Sequence, residues 1–501
     1  MRTHQPGSLR VTLPAPSTSD FVVTPQAARV QAPSMAASDA PPHAAQCVLA
    51  SQQAFFATGQ TRSPAFRSAQ LKALRRLIIA QQTVLGRALK DDLGKAESEI
   101  VTGELGFVVR EIARLLKGLQ RWSRAEKVST PLVLWPAKSR VLREPYGPVL
   151  VIGPWNVPLG LALVPALGAL AAGNTVVLKP SEYAPNTASA LERLVNDNFA
   201  SEYFHVVRGD ETALELSSLP FSYVFFTGGA EVGRQVYRAA AEHLCPVTLE
   251  LGGKNPCIVR ADANVPVAAR RIALGKFYNA GQTCVAPDIV FVPTSLKAPL
   301  VEALGTALDA FYGADPRRSE DYGRIVNVRH FGRLMSLLEG ANVCRGGQTD
   351  ATELYFAPTL VDGVDWATRL GSEEIFGPIL PIVGYESESE LTALLFRMPR
   401  PLALYVFTED HKAAAAWRVR HPSGALGLND AGSHVMNPEL PFGGVGASGL
   451  GSYRGDETWR TFTRPLAVLE RSTRMDLDLR YPPYSPRALA AMKKVLDPPN
   501  D

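Results

Sequence analysis

The sequence predicts an α/β protein: a doubly wound parallel sheet followed by a second α/β domain. Three observations carry this. Between Gly147 and Leu251, short strand-like runs alternate with helix-length segments, the pattern of a parallel sheet wrapped by helices. The strand-like runs, such as Pro148–Ile152 and, after Ser222, the rest of 222–226, are apolar rather than alternating, so both of their faces are buried. After Leu251 the pattern is mixed again, with helix-like 266–279, 295–312 and 328–339 among strand-like 288–293, 379–384 and 402–407.

Taken in order, residues 1–46 are rich in Pro, Ala, Ser and Thr and nearly lack acidic residues. They read as a disordered extension; an organellar transit segment, or an over-long start with Met35 as the true first residue, are the alternatives. From about Ala50 to Ala125 the apolar spacing is helical, with Leu71, Leu74, Leu77 and Ile78 on one face. Leu132 to Leu142 reads as an extended hairpin turning at Pro136-Ala137-Lys138. The alternating unit follows as strand 148–152, helix 159–172, strand 175–178, helix 186–198, strand 204–207, helix 211–217, strand 222–226, helix 231–243 and strand 246–250. Such a unit predicts a dinucleotide-binding domain over 47–247, with an oligomerisation hairpin near 130–145. A catalytic domain is expected over 248–455, a return segment with an oligomerisation strand over 456–483, and a tail over 484–501. The strand at Arg464–Glu470 needs a partner, either the 132–142 hairpin or another subunit.

Composition excludes several classes. A net charge of +4 on 501 residues, with no basic block, gives no warrant for nucleic-acid binding. Pro145–Leu178 contains no charged residue, but Pro148, Pro154, Pro158 and Pro165 break it into pieces too short to span a bilayer. With no other long apolar run, no membrane anchor is expected. Five cysteines in no C-x-x-C spacing fit a reducing, cytoplasmic setting. Eight scattered histidines offer no ligand spacing, so no metal is expected.

Two frames carry chemistry. Cys284 lies in Gly281-Gln282-Thr283-Cys284-Val285-Ala286-Pro287-Asp288, and Glu250 in Leu249-Glu250-Leu251-Gly252-Gly253-Lys254. A thiol can attack a carbonyl carbon, and a carboxylate can activate the water that releases the acyl group. Phe226-Thr227-Gly228-Gly229-Ala230-Glu231-Val232-Gly233 joins a strand to a helix, where glycines admit a pyrophosphate to the helix N-terminus. Lys179-Pro180-Ser181-Glu182 and Gly153-Pro154-Trp155-Asn156-Val157-Pro158 end two further strands. A carboxylate at such an end can accept from ribose hydroxyls, and a carboxamide can donate to an oxyanion.

With the longer strings Gly275–Asp288, Asp321–Ile325, Arg329-His330-Phe331, Arg400–Tyr405 and Tyr481-Pro482-Pro483, these frames resemble the aldehyde dehydrogenase superfamily, and within it the class 3 branch, over about residues 50–483. The resemblance implies NAD as cofactor, with NADP possible, an aldehyde substrate and a homodimer. It implies that Asn156 donates to the oxyanion together with the Cys284 N–H. It makes Lys179 and Glu182 the adenosine-ribose pair, and Gly228, Gly229 and Gly233 the phosphate turn. Glu374 is expected to hold the nicotinamide ribose and Phe376 to pack near the nicotinamide, and Trp155 is expected among the cofactor-binding residues. Two departures stand out: Gly229 and Ala230 replace the family's hydroxyl residues, and Val157 stands where an aromatic residue is usual.

The expected function is therefore NAD(P)-dependent oxidation of an aldehyde, medium- to long-chain aliphatic or aromatic, to the acid through a cysteine thioester. A thioesterase-like hydrolase using the same Cys284 and Glu250 without redox chemistry is the alternative, as is a non-catalytic relative.

Overall fold

The computed structural model describes residues 44–131, 134–209, 212–476 and 480–493. The described residues form two large sheets, one small three-stranded sheet and a two-stranded pair of Thr349–Asp350 with Tyr355–Phe356. The first large sheet has the strand order Gly449–Leu450, Val247–Glu250, Tyr223–Thr227, Pro148–Ile152, Thr175–Lys179, Phe204–Val206. All pairs are parallel except the short Gly449–Leu450 edge. The chain enters at Pro148–Ile152, builds outward to Phe204–Val206, then returns to build the other side. The switch point lies between Pro148–Ile152 and Tyr223–Thr227, where such sheets hold ligands.

The strands form as their composition dictates. Pro148–Ile152 and Thr175–Lys179 are buried along their whole length. Helix Gly160–Ala172 is nearly all apolar, and Ala162 to Ala172 are covered on all sides. Pro165 lies inside this helix and cannot donate to the Leu161 carbonyl one turn back. This run is therefore a core helix. Among the described residues no helix is long and apolar enough to cross a membrane.

The second large sheet runs Val343–Arg345, Thr359–Asp362, Ile379–Tyr385, Ile289–Pro293, Pro256–Val259, Ala403–Phe407, Ala425–Leu428. Only its first pair is antiparallel. The link between the sheets is short: Glu250 ends a strand of the first, and Pro256 begins a strand of the second.

The structure corrects three expectations. The small sheet pairs Ala137–Pro145 with Glu126–Val128 on one side and with Thr463–Arg471 on the other. The first hairpin strand is thus Glu126–Val128, at the edge of this sheet, and Leu132 and Val133 lie outside the described residues. Glu-Lys-Val carries too little apolar content to announce a strand. Residues 44–46, assigned to the extension, begin helix Ala44–Ala57, because Ala45 and Leu49 pack against the first sheet; the rest of the extension lies outside the described residues. The boundary expected at 247 falls inside the first sheet, since Val247–Glu250 is one of its strands and Gly449–Leu450 joins it from the far end of the chain. One element had no sequence signal: a π-helical turn over Ile100–Leu105.

Candidate active site

Four of the first sheet's strands end in line, with Ile152 beside Lys179 and Phe226, and Thr227 beside Glu250. The residues after those ends converge on one cavity of about 340 Å³. Trp155, Asn156, Lys179, Glu182, Gly228, Gly229, Glu250, Glu374, Phe376 and Cys284 all line it. A second cavity of about 510 Å³ opens on the other side of the cysteine. Asn156, Leu161, Cys284, Phe442 and Tyr453 border both. Cys284 is thus the meeting point of two chambers.

The loop bearing Cys284 is held from several directions. Asn255 donates to the carbonyls of Cys284 at 2.7 Å and Ala286 at 3.0 Å, and accepts from the Ala403 N–H at 2.9 Å. The Tyr405 hydroxyl donates to the Val285 carbonyl at 2.6 Å. Gln282 donates to the carbonyls of Asn279 and Arg324 and accepts from the Val326 N–H. Asn279 and Ala280 adopt left-handed φ values of 53° and 51°, strain that persists only where the surroundings over-determine it. Glu99 supplies part of that restraint by accepting the Asn279 N–H at 2.8 Å. At Gly281 φ is +76°, and a Cβ would stand 2.3 Å from the Gly377 carbonyl oxygen, so this turn requires glycine.

Asn156 donates one N–H to the Gln282 carbonyl at 3.0 Å. That bond fixes the carboxamide and leaves its second N–H for another acceptor. The Asn156 carbonyl in turn accepts from Asn279 at 2.9 Å. Burial first, then the charges of Glu374 and Glu250, push the Cys284 thiol up to about 12. Glu250 is 3% exposed, and neither of its carboxylate oxygens has a hydrogen-bond partner. Desolvation therefore lifts its pKa well above the usual carboxylate range. Burial, with Asp288 nearby, raises Glu374 to about 7. An unpartnered buried carboxylate on a cavity wall is a stronger base toward a water in that cavity than an exposed one.

The smaller cavity fits a dinucleotide. Gly229 is the N-cap of helix Ala230–Ala241 with no side-chain cap, and the space where its Cβ would lie is open. Uncapped N–H groups there suit a pyrophosphate. Lys179 and Glu182 pair at 3.0 Å. Burial opposes ionisation of Glu182, but its own backbone N–H and Lys179 outweigh that and lower its pKa. Trp155 and Phe376 meet edge-on with ring centroids 5.2 Å apart. Gly233 departs from its expected role: it is buried against Leu251, and a Cβ would come within 2.7 Å of that side chain. It permits close helix–strand packing, as the last glycine of such turns does.

Sequence reasoning passed over several wall residues. His330 packs on Trp155 with centroids 4.8 Å apart, and burial, with Arg333 and Arg329 near, lowers it to about 4. Its only sequence signal was the Arg329-His330-Phe331 string. Tyr278 approaches the backbone so closely that a Cβ at Gly103 would stand 2.0 Å from its hydroxyl. Tyr453 and Arg454 had no signal. Among the described residues no group of three His, Cys, Asp or Glu side chains could hold a metal.

Comparison with known proteins agrees with this geometry. The Aldehyde dehydrogenase family profile matches residues 17–468. The chain is 47% identical over 435 residues to a 4,4'-diaponeurosporen-aldehyde dehydrogenase of Staphylococcus aureus, covering 86% of this chain and 95% of that one. It is 42% identical over 440 residues to the "Aldehyde dehydrogenase, dimeric NADP-preferring" of Canis lupus familiaris, covering 87% of this chain and 97% of that one. The solved structure of the substrate-bound state of Staphylococcus aureus AldH superposes with a TM-score of 0.89 at 44% identity, over 91% of this chain and 100% of that one. The chain belongs to the aldehyde dehydrogenase family, and it is an oxidoreductase that oxidises aldehydes with NAD(P).

Proposed function

We propose that Cys284 is the nucleophile, Asn156 the oxyanion donor and Glu250 the general base. The position of Cys284 in the wall shared by both cavities carries this reading. An aldehyde in the larger cavity presents its carbonyl carbon to the sulfur. The second Asn156 N–H, with the Cys284 backbone N–H, meets the oxygen as it gains charge. NAD(P), bound in the smaller cavity, supplies the hydride acceptor. Oxidation of the thiohemiacetal leaves a thioester on Cys284, and Glu250 takes a proton from the water that attacks it. The raised basicity of Glu250 suits that step.

We assign Lys179 and Glu182 to the adenosine ribose, Gly228 and Gly229 to the pyrophosphate, and Trp155, Glu374 and Phe376 to the nicotinamide end. The larger cavity, bordered by Phe107, Val157, Leu161, Phe311 and Phe442, supports medium- to long-chain aliphatic or aromatic aldehydes as substrates. A homodimer through the small sheet is supported by the open edge of Thr463–Arg471, where Leu469 is 53% exposed, and by the canine relative's dimeric name. Five unpaired cysteines support a cytoplasmic location.

Three outcomes test this reading. Glu250→Gln should release one burst of NADH per active site and then stall, while Cys284→Ala gives no turnover; steady turnover in either variant would place the chemistry elsewhere. Glu182 should repel a 2′-phosphate, so NAD is the better cofactor and Glu182→Gln narrows the gap in kcat/KM. Equal kcat/KM for NAD and NADP in the unmutated enzyme would remove that role. Each methylene buried in the larger cavity is worth about 0.8 kcal/mol, so hexanal, decanal and benzaldehyde should exceed acetaldehyde in kcat/KM. Val157→Phe should then erode activity on the bulky aldehydes most, and an unchanged size ranking would show that Val157 does not set the width.

A further inference from the structure

The larger cavity contains one basic side chain, Arg454, immediately after Tyr453, which borders Cys284's side of both chambers. Arg454 is 3% exposed. Its guanidinium lies over the Phe107 ring at 4.7 Å from the centroid and donates to the Val435 carbonyl. Its Nε has no hydrogen-bond partner. Among the described residues no carboxylate forms an ion pair with it. Glu111 is near, but it is bound to Arg114 at 2.6 Å, and Arg114 and Arg110 add repulsion. The backbone is strained to hold it there: φ is 71°, and the Thr458 hydroxyl accepts the Arg454 N–H at 2.7 Å. An L-residue held in that region costs on the order of 1–3 kcal/mol.

A buried charge without a counter-charge is expensive. Arginine cannot shed its proton to escape that cost. Stacking on Phe107 and the Val435 carbonyl offset only part of it. The missing counter-charge has room in the cavity itself. The two acids on the same wall do not supply it. Glu99 is tied to the Asn279 N–H, and burial raises its pKa; Asp321 is exposed and makes no ion pair with Arg454.

We propose that Arg454 recognises a carboxylate on the substrate, so that the preferred substrates are aldehydes carrying an anionic group across an apolar spacer from the reacting carbonyl. A guanidinium N–H suits a carboxylate oxygen, and the opposite charges strengthen that bond. The apolar walls cover the spacer, and Cys284 meets the aldehyde. The inference deepens the reading above and rests on Cys284 being the nucleophile.

The test uses the full chain with adipic semialdehyde, azelaic semialdehyde and para-carboxybenzaldehyde, each against its primary amide. The amide has nearly the same shape and no charge, and it resists hydrolysis by the thiol. The unmutated enzyme should prefer the acids in kcat/KM, chiefly through KM. Arg454→Gln should bring the acid-to-amide ratio down by about 10-fold or more, and Arg454→Lys should keep part of the preference. A ratio near one in the unmutated enzyme, or a ratio unchanged by Arg454→Gln, would overturn the proposal. Binding supplies a readout without turnover: adipate should raise the melting temperature of the unmutated protein more than the uncharged diamide adipamide does, and equal shifts would count against Arg454. If the variant fails to fold, the unmutated enzyme's ratio and melting shifts decide alone. Turnover of amides without preference for acids removes only this inference. Absence of NADH or NADPH formation with every aldehyde would instead remove the mechanism proposed for Cys284 and Glu250, and the adipate shift would still judge Arg454.

Discussion

The buried ion pair between Lys254 and Asp288, 2.8 Å long and 2% and 4% exposed, fixes the relation between the two sheets on which the site depends. Lys254 lies four residues after Glu250, and Asp288 four after Cys284. Lys254 also donates to the carbonyls of Leu370 and Glu373, and Asp288 accepts the Ile375 N–H. One pair therefore ties together the carboxylate segment, the thiol loop and the segment bearing Glu374 and Phe376. Removing one partner of such a pair typically costs about 3–5 kcal/mol, and Lys276, also buried, lies 3.9 Å from Asp288 on its other oxygen. Asn255 completes the restraint by clamping the Cys284 and Ala286 carbonyls.

With that geometry fixed, the electrostatics follow from burial. Cys284, Glu250 and Glu374 are acids placed near one another in a dry space. Burial displaces all three upward; the charges of Glu374 and Glu250 add to this at Cys284, and that of Asp288 at Glu374. The thiol is therefore held in reserve as its neutral form, and Glu250 is a stronger base than an exposed glutamate. The same strand ends that bring these groups together leave Gly229 uncapped and open for a phosphate.

Most of the first sheet was legible because its strands are apolar on both faces and its helices have ordinary lengths; their observed ends lie within about two residues of those expected. The site strings were legible because they sit at strand ends, where glycine, proline and polar residues interrupt the apolar runs. What was missed has a physical reason in each case. Glu126–Val128 is stabilised by pairing with Ala137–Pro145, which no local propensity reports. The π-helical turn at Ile100–Leu105 depends on packing around Gly103 and Tyr278 rather than on composition. Asn255 reads as a turn residue before proline, yet its contacts reach across 29 and 148 positions of chain. Gly233 looks like its neighbours in the phosphate turn, and only the close approach of Leu251 separates its role from theirs.

The central claim is that the acyl group passes through Cys284 and leaves with the help of Glu250. Mass measurement of the Glu250→Gln protein after brief exposure to hexanal and NAD tests it most directly, with peptide mapping to locate any adduct. The account predicts one hexanoyl group per chain, on the peptide containing Cys284, and none when NAD is omitted. An unmodified Cys284 peptide, or a hexanoyl group on Cys47, Cys245, Cys257 or Cys344 instead, would contradict it.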